Sequence, residues 1–227
     1  MEWIELAFAL AAFFLSHRVP AMFGLKARIV AAFGPRGYVA LFSVLSLGLL
    51  WWVIVAAGRA PYVELWSQPD WSRWLVNLAM PVAILLGTFG VAAPNPFAFE
   101  GRAQGFDPGR PGIAGLTRQP LLWALAIWAA AHLSANGDLA HVLLFGPMLV
   151  LALIGAPAME ARTRARMGTA TWDRLAARTA LIPLAALAKG RWRPTSLPSL
   201  PRLLAALAIW AGLWHLHEPI IGLWPGP

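Results

Sequence analysis

With 227 residues, 59% hydrophobic and only 12% charged, the chain departs from the roughly 45–50% apolar and 25% charged composition of soluble domains, so water is not its main solvent. It has no cysteine, which excludes disulfides, a thiolate nucleophile, Cys-ligated metals and iron–sulfur clusters. The net charge of +8 sits in loops between apolar stretches rather than on an aromatic-interleaved face. That distribution argues against nucleic acid as a partner and for a lipid bilayer.

The predicted fold is all-α, a polytopic integral membrane helical bundle forming one membrane domain. Its spans of about 18–20 residues match the length a helix needs to cross the hydrocarbon layer. Six are expected, at about 3–22, 38–57, 74–93, 119–136, 139–158 and 203–221. The first opens with Glu2 and Glu5, lacks a positive n-region and has no A-x-A site after it, so it reads as a retained span rather than a cleaved signal peptide. Gly34-Pro35-Arg36-Gly37 precedes the second span, and Pro94-Asn95-Pro96 follows the third. Asn136-Gly137-Asp138 offers φ > 0 turn chemistry for a tight antiparallel hairpin between the fourth and fifth. The basic connector, about 159–202, is the one sizeable polar segment. Within it, residues 160–178 are expected to form an amphipathic surface helix with Met167 and Trp172 toward lipid.

Orientation follows from Lys and Arg, because positive loops stay cytoplasmic. Of the eighteen basic residues, all but Arg59 and Arg73 fall on alternate loops of one face. This predicts a multi-pass protein of a cytoplasmic membrane, with the connector inside and both termini non-cytoplasmic.

Five histidines, His17, His132, His141, His215 and His217, lie in or near the predicted spans. A polar side chain is costly in a bilayer, so each needs a partner. An interfacial hydrogen bond would serve; so would a metal, since neutral imidazole gives one nitrogen to iron while the other donates to a carbonyl or carboxylate. Haem suits such a chain, because two axial ligands from different helices hold the iron while the porphyrin packs against apolar and aromatic residues. Zinc hydrolysis is disfavoured by the absence of H-E-x-x-H, and neither G-x-S-x-G nor a Walker-type loop occurs.

Several runs carry a family resemblance. Ser16-His17-Arg18-Val19-Pro20-Ala21, then Gly34-Pro35-Arg36-Gly37-Tyr38, then Leu65-Trp66, and later Ala131-His132-Leu133-Ser134-Ala135-Asn136-Gly137-Asp138 resemble the NnrU family. That family is similar to 15-cis-zeta-carotene isomerase, a haem b membrane enzyme, and is associated with bacterial denitrification and nitrogen-oxide metabolism. The resemblance implies a bacterial inner-membrane protein binding haem b (iron) through His17 and His132, which would be both axial and catalytic. It implies an apolar, membrane-soluble polyene as the substrate class, isomerised cis–trans only when the iron is reduced; it names no electron donor. Arg18, Arg28 and Arg36 would pair with the haem propionates. Asn136 and Asp138 would hold the second ring nitrogen of His132. The ligand set stays open to His141, His215 or His217.

Two other readings belong beside this one. Arg118, Glu160, Gly168, Trp172, Arg178 and Pro183 resemble weakly the pattern of membrane methyltransferases that use S-adenosylmethionine, although Gln119 replaces the histidine of that pattern. A haem-free membrane scaffold is the third.

Overall fold

The structure, a computed structural model, describes residues 1–98 and 101–227, apart from the side chains of Pro20 and Ala21. Those two side chains belong to the first family motif and lie outside the described residues. Among the described residues there are helices and two isolated β-bridges but no strand. The helices are α1 (Glu2–Met22), α2 (Leu25–Arg59), α3 (Asp70–Gly90), α4 (Ile113–Leu116), α5 (Pro120–Ala135), α6 (Leu139–Met167), α7 (Thr169–Ala176), α8 (Ala185–Ala188) and α9 (Leu200–Ile221). Four of these, α2, α3, α6 and α9, are long and apolar enough to cross a membrane, and α5 is a shorter apolar helix. Trp51, Leu78, Ile154 and Leu207 are among the large apolar side chains they leave exposed. A helix apolar all round has lipid as its natural surroundings.

By its internal packing the chain divides into two compact units, Met1–Ser67 with Asn136–Leu144, and Gln68–Ala135 with Phe145–Pro227. In the first, α1 packs against α2, burying Leu6, Ala9 and Phe13 at helical spacing. Helix starts at Leu25, ahead of the expected second span, and is broken at Gly34, whose φ of 73° and ψ of 171° are not helical, so α2 is two helical segments that meet at the Gly34-Pro35 punctuation expected before that span. Gly34 supplies the positive φ and Pro35 removes the next amide donor, so one helical segment ends and the next begins there.

The turn before α6 also differs from expectation. Gly137 is not at positive φ. Its carbonyl accepts the backbone N–H groups of Leu65 (2.7 Å) and Trp66 (3.1 Å), and Leu139 N–H donates to Val63 (2.9 Å), so 63–66 lies alongside 137–139 with Glu64 and Asp138 bridged. A Cβ at Gly137 would sit 1.9 Å from the Trp66 carbonyl oxygen; close backbone approach, not turn dihedral, requires glycine here. Gly137→Ala should cost about 1–3 kcal/mol, the scale of overpacking against an unyielding neighbour. Thermal unfolding in detergent would show it as a lowered midpoint, and an unchanged midpoint would contradict this account of the turn.

In the second unit α3 packs against α5 and α9. Gly90 gives α5 room, since a Cβ there would meet the Pro120 ring at 2.7 Å. Arg202 of α9 donates to the carbonyls of Thr88 (2.9 Å) and Phe89 (2.7 Å), satisfying acceptors that the C-terminus of α3 leaves open. The tail returns to α3, where Asn77 Nδ2 donates to the Pro225 carbonyl at 2.8 Å.

The expected surface helix over 160–178 is two helices. α6 extends to Met167, Gly168 turns the chain with φ 79° and ψ 151°, and α7 follows. Trp172 does not face lipid: it is buried with Phe97, Ala114 and Ala176, and Met167 packs against the same cluster. The arginines of this segment supply its polar face; the cluster takes the apolar one.

Candidate functional site

His17 lies near the C-terminal end of α1 and is exposed. Its Nδ1 is 2.7 Å from the carbonyl of Phe13, one turn back. A carbonyl only accepts, so Nδ1 carries a proton, which in the neutral ring puts the lone pair on Nε2. The ring tilts against Phe13 at 4.6 Å and meets Phe42 edge-on at 5.1 Å. Phe42 stacks on Tyr38, and the Lys26 ammonium stands over the Tyr38 ring at 5.1 Å. Arg18, Arg28 and Arg36, in the same unit, are all exposed.

His132, in α5, repeats the arrangement within the other unit. Its Nδ1–H donates to the carbonyl of Trp128 at 2.9 Å, again one turn back and again from an aromatic residue. Trp128 and Phe145 tilt against the ring at 5.5 and 5.2 Å and meet each other at 5.1 Å. The bond that fixes its tautomer therefore comes from its own helix.

Asp138, expected to serve His132, has its carboxylate on His141. Oδ2 accepts the ring Nδ1–H at 2.6 Å and Oδ1 accepts the backbone N–H at 3.2 Å. Asp138 thus caps the N-terminus of α6 and is buried, while His141 is half-buried. Asn136 and Asp138 belong to the unit that holds His17. His217 donates Nδ1–H to the tail carbonyl of Leu223 (2.7 Å), and His215 is exposed on α9. Among the described residues no group of three or more His, Asp or Glu side chains forms a metal cage.

A second polar centre, wholly within the second unit, lies at the start of α5. Arg118 grips Glu160 with two nitrogens, Nε to Oε1 and Nη2 to Oε2 (2.8 Å), and Nη1 donates to Thr179 Oγ1 (3.0 Å). Phe97 and Trp172 stand by the guanidinium at 5.9 and 5.3 Å. The backbone joins in: Arg118 N–H donates to Ala180 (2.8 Å), and its carbonyl accepts from Asn95 Nδ2 (2.9 Å). Gln119 is buried and donates Nε2–H to the Phe97 carbonyl at 2.8 Å. Nearby, in the connector before α4, Arg110 donates to Asp107 and, with the Gly109 N–H, holds that carboxyl below its usual range.

Sequence reasoning paired Arg118 with Glu160 and Arg178 as an S-adenosylmethionine pocket; Arg178 instead donates to the Gly109 carbonyl at 3.2 Å. The Arg118 guanidinium is occupied by Glu160, Thr179 and two aromatic rings. It anchors the connectors on α5 and α6, with each of its three nitrogens already donating to Glu160 or Thr179. The parts that sequence reasoning missed are Asn95, Phe97 and Thr179. Their only signal was polar and aromatic residues set within Pro-rich connectors.

Apolar helices of spanning length, with polar side chains gathered at their ends, define an all-helical membrane protein. The chain belongs to the NnrU family, whose NnrU protein description matches residues 5–225. No curated protein and no solved structure matches it.

Proposed function

We propose that this NnrU protein is a multi-pass protein of the bacterial inner membrane that holds haem b between His17 and His132. The observation that carries this reading is the arrangement the two histidines share. Each donates Nδ1–H to the carbonyl of an aromatic residue one turn earlier, at 2.7 and 2.9 Å, and each packs on a second aromatic ring. That bond fixes the tautomer in which Nε2 has the lone pair an iron needs. Each ring is thereby suited to the group: an imidazole on its own helix, with Nδ1–H held by a carbonyl and aromatic rings beside it. Arg18, Arg28 and Arg36 are exposed beyond the His17 end of α1 and supply guanidiniums suited to bidentate pairing with propionates.

When bound, haem b supplies a redox-active iron, and the resemblance implies either reduction-dependent cis–trans isomerisation of a carotenoid-like polyene or a role in nitrogen-oxide metabolism. The chain's own part is to present one imidazole from α1 and one from α5, to hold their orientation and to exclude water. Protein purified in mild detergent from haem-replete cells should be red, with a Soret band that shifts on reduction. Colourless protein would contradict the reading and favour a haem-free scaffold.

The topology proposed with it adds α1 and α5 to the four longer apolar helices, giving six spans with both termini outside the cytoplasm. With no native cysteine, single cysteines report cleanly. Cysteines replacing Arg28 and Arg174 should be shielded from an impermeant thiol reagent in intact cells, while one replacing Ser67 should be labelled. Equal labelling at all three positions would overturn the arrangement.

A further inference from the structure

We propose that a phospholipid with a primary ammonium headgroup binds in the groove between α1 and α2, its ammonium on Glu5 and its phosphate on Arg59. The groove has a volume of about 480 Å³ and is lined by Met1, Ile4, Glu5, Phe8, Ala12 and Trp52. Ile4, Phe8 and Ala12 recur every four residues, so they form one stripe along α1, about 12 Å long at 1.5 Å per residue. Such a stripe is a lane for an acyl chain. Glu5 is the one charged side chain in the lining, and it lies beside the Ile4 end of the lane.

Glu5 carries both halves of a headgroup match. Trp52 Nε1–H donates to Oε1 at 3.3 Å, and Arg59 Nη1 stands 3.7 Å from the same oxygen, with the arginine side chain 65% exposed and the glutamate 33%. Both contacts use Oε1. At 3.7 Å the pair is an open one, beyond hydrogen-bond length, and an exposed ion pair of this kind adds little stability on its own. A zwitterionic headgroup completes it: the ammonium brings N–H donors to the carboxylate, and the phosphate takes the guanidinium. Glu2 and Glu5 both sit in the first turn of α1, where a carboxylate suits the helix dipole. The dipole explains their place in the helix, but only Glu5 stands in the groove.

Native mass spectrometry of the full chain in detergent tests this, with phosphatidylethanolamine, phosphatidylcholine and phosphatidylglycerol of identical acyl chains in equal amounts. Phosphatidylethanolamine should be retained over phosphatidylcholine, whose headgroup nitrogen has no N–H, by about three- to five-fold, the scale of a partly exposed charge pair. Glu5→Gln should abolish that preference, and Glu2→Gln, in the same turn, should leave it intact. Arg59→Gln should weaken retention of both zwitterionic lipids, and Ala12→Trp, which fills the lane, should weaken all three. Circular dichroism at wild-type helicity certifies the fold of each variant. Equal retention of the two zwitterionic lipids by wild type, preferential retention of phosphatidylglycerol, or a preference that survives Glu5→Gln would overturn the proposal.

Discussion

Replacing Arg118 or Glu160 alone should destabilise the protein by about 3–5 kcal/mol, the range measured when one partner of a buried ion pair is removed. Exposure decides between this figure and the ~0–1 kcal/mol of a surface pair. The two side chains are only 13% and 15% exposed, so a lone partner would keep its charge away from water. The guanidinium spends three nitrogens on Glu160 and Thr179, and Phe97 and Trp172 close over it. Removing Glu160 leaves a cation among rings and a single hydroxyl; removing Arg118 leaves a carboxylate with no strong donor. The pair Arg118→Met with Glu160→Leu should cost less than either single change, because no charge is stranded. Thr179→Ala should cost about 1 kcal/mol, the net value of one hydrogen bond. Denaturation of the detergent-solubilised variants, followed by circular dichroism, measures all of these. Single variants within 1 kcal/mol of wild type would show that Arg118 and Glu160 form an adjustable surface contact instead of an anchor.

The apolar runs were legible because lipid imposes length on a helix: α3, α5, α6 and α9 start within a few residues of the expected spans. What composition could not convey was pairing between distant residues. Arg118 and Glu160 are 42 positions apart, and nothing local to either shows that the two meet. Trp172 reads as an interfacial aromatic in a basic segment, yet Phe97, from a different connector, buries it at 5.2 Å. Gly137 was read through turn chemistry, whereas the constraint is the Trp66 carbonyl, which belongs to a distant segment. Gly34-Pro35, by contrast, is legible as a boundary because such residues punctuate structure, and the helical backbone breaks at Gly34. At the two histidines a local signal was present and went unread. Phe13-x-x-x-His17 and Trp128-x-x-x-His132 have the same spacing, one helical turn, which places an aromatic residue's carbonyl under each imidazole.

The most direct test of the central claim is the visible spectrum of the histidine variants in the oxidised and reduced states, with haem content quantified alongside. His17→Ala and His132→Ala should each remove or convert a low-spin bis-histidine spectrum, because each deletes one of the two proposed axial imidazoles. His141→Ala, His215→Ala and His217→Ala should leave it unchanged, because the bond to an aromatic residue's carbonyl one turn back is shared by His17 and His132, whereas His141 bonds Asp138 and His217 bonds Leu223. Helicity by circular dichroism separates lost ligation from lost fold. Retention of a normal bis-histidine spectrum in both the His17 and the His132 variant would contradict the account.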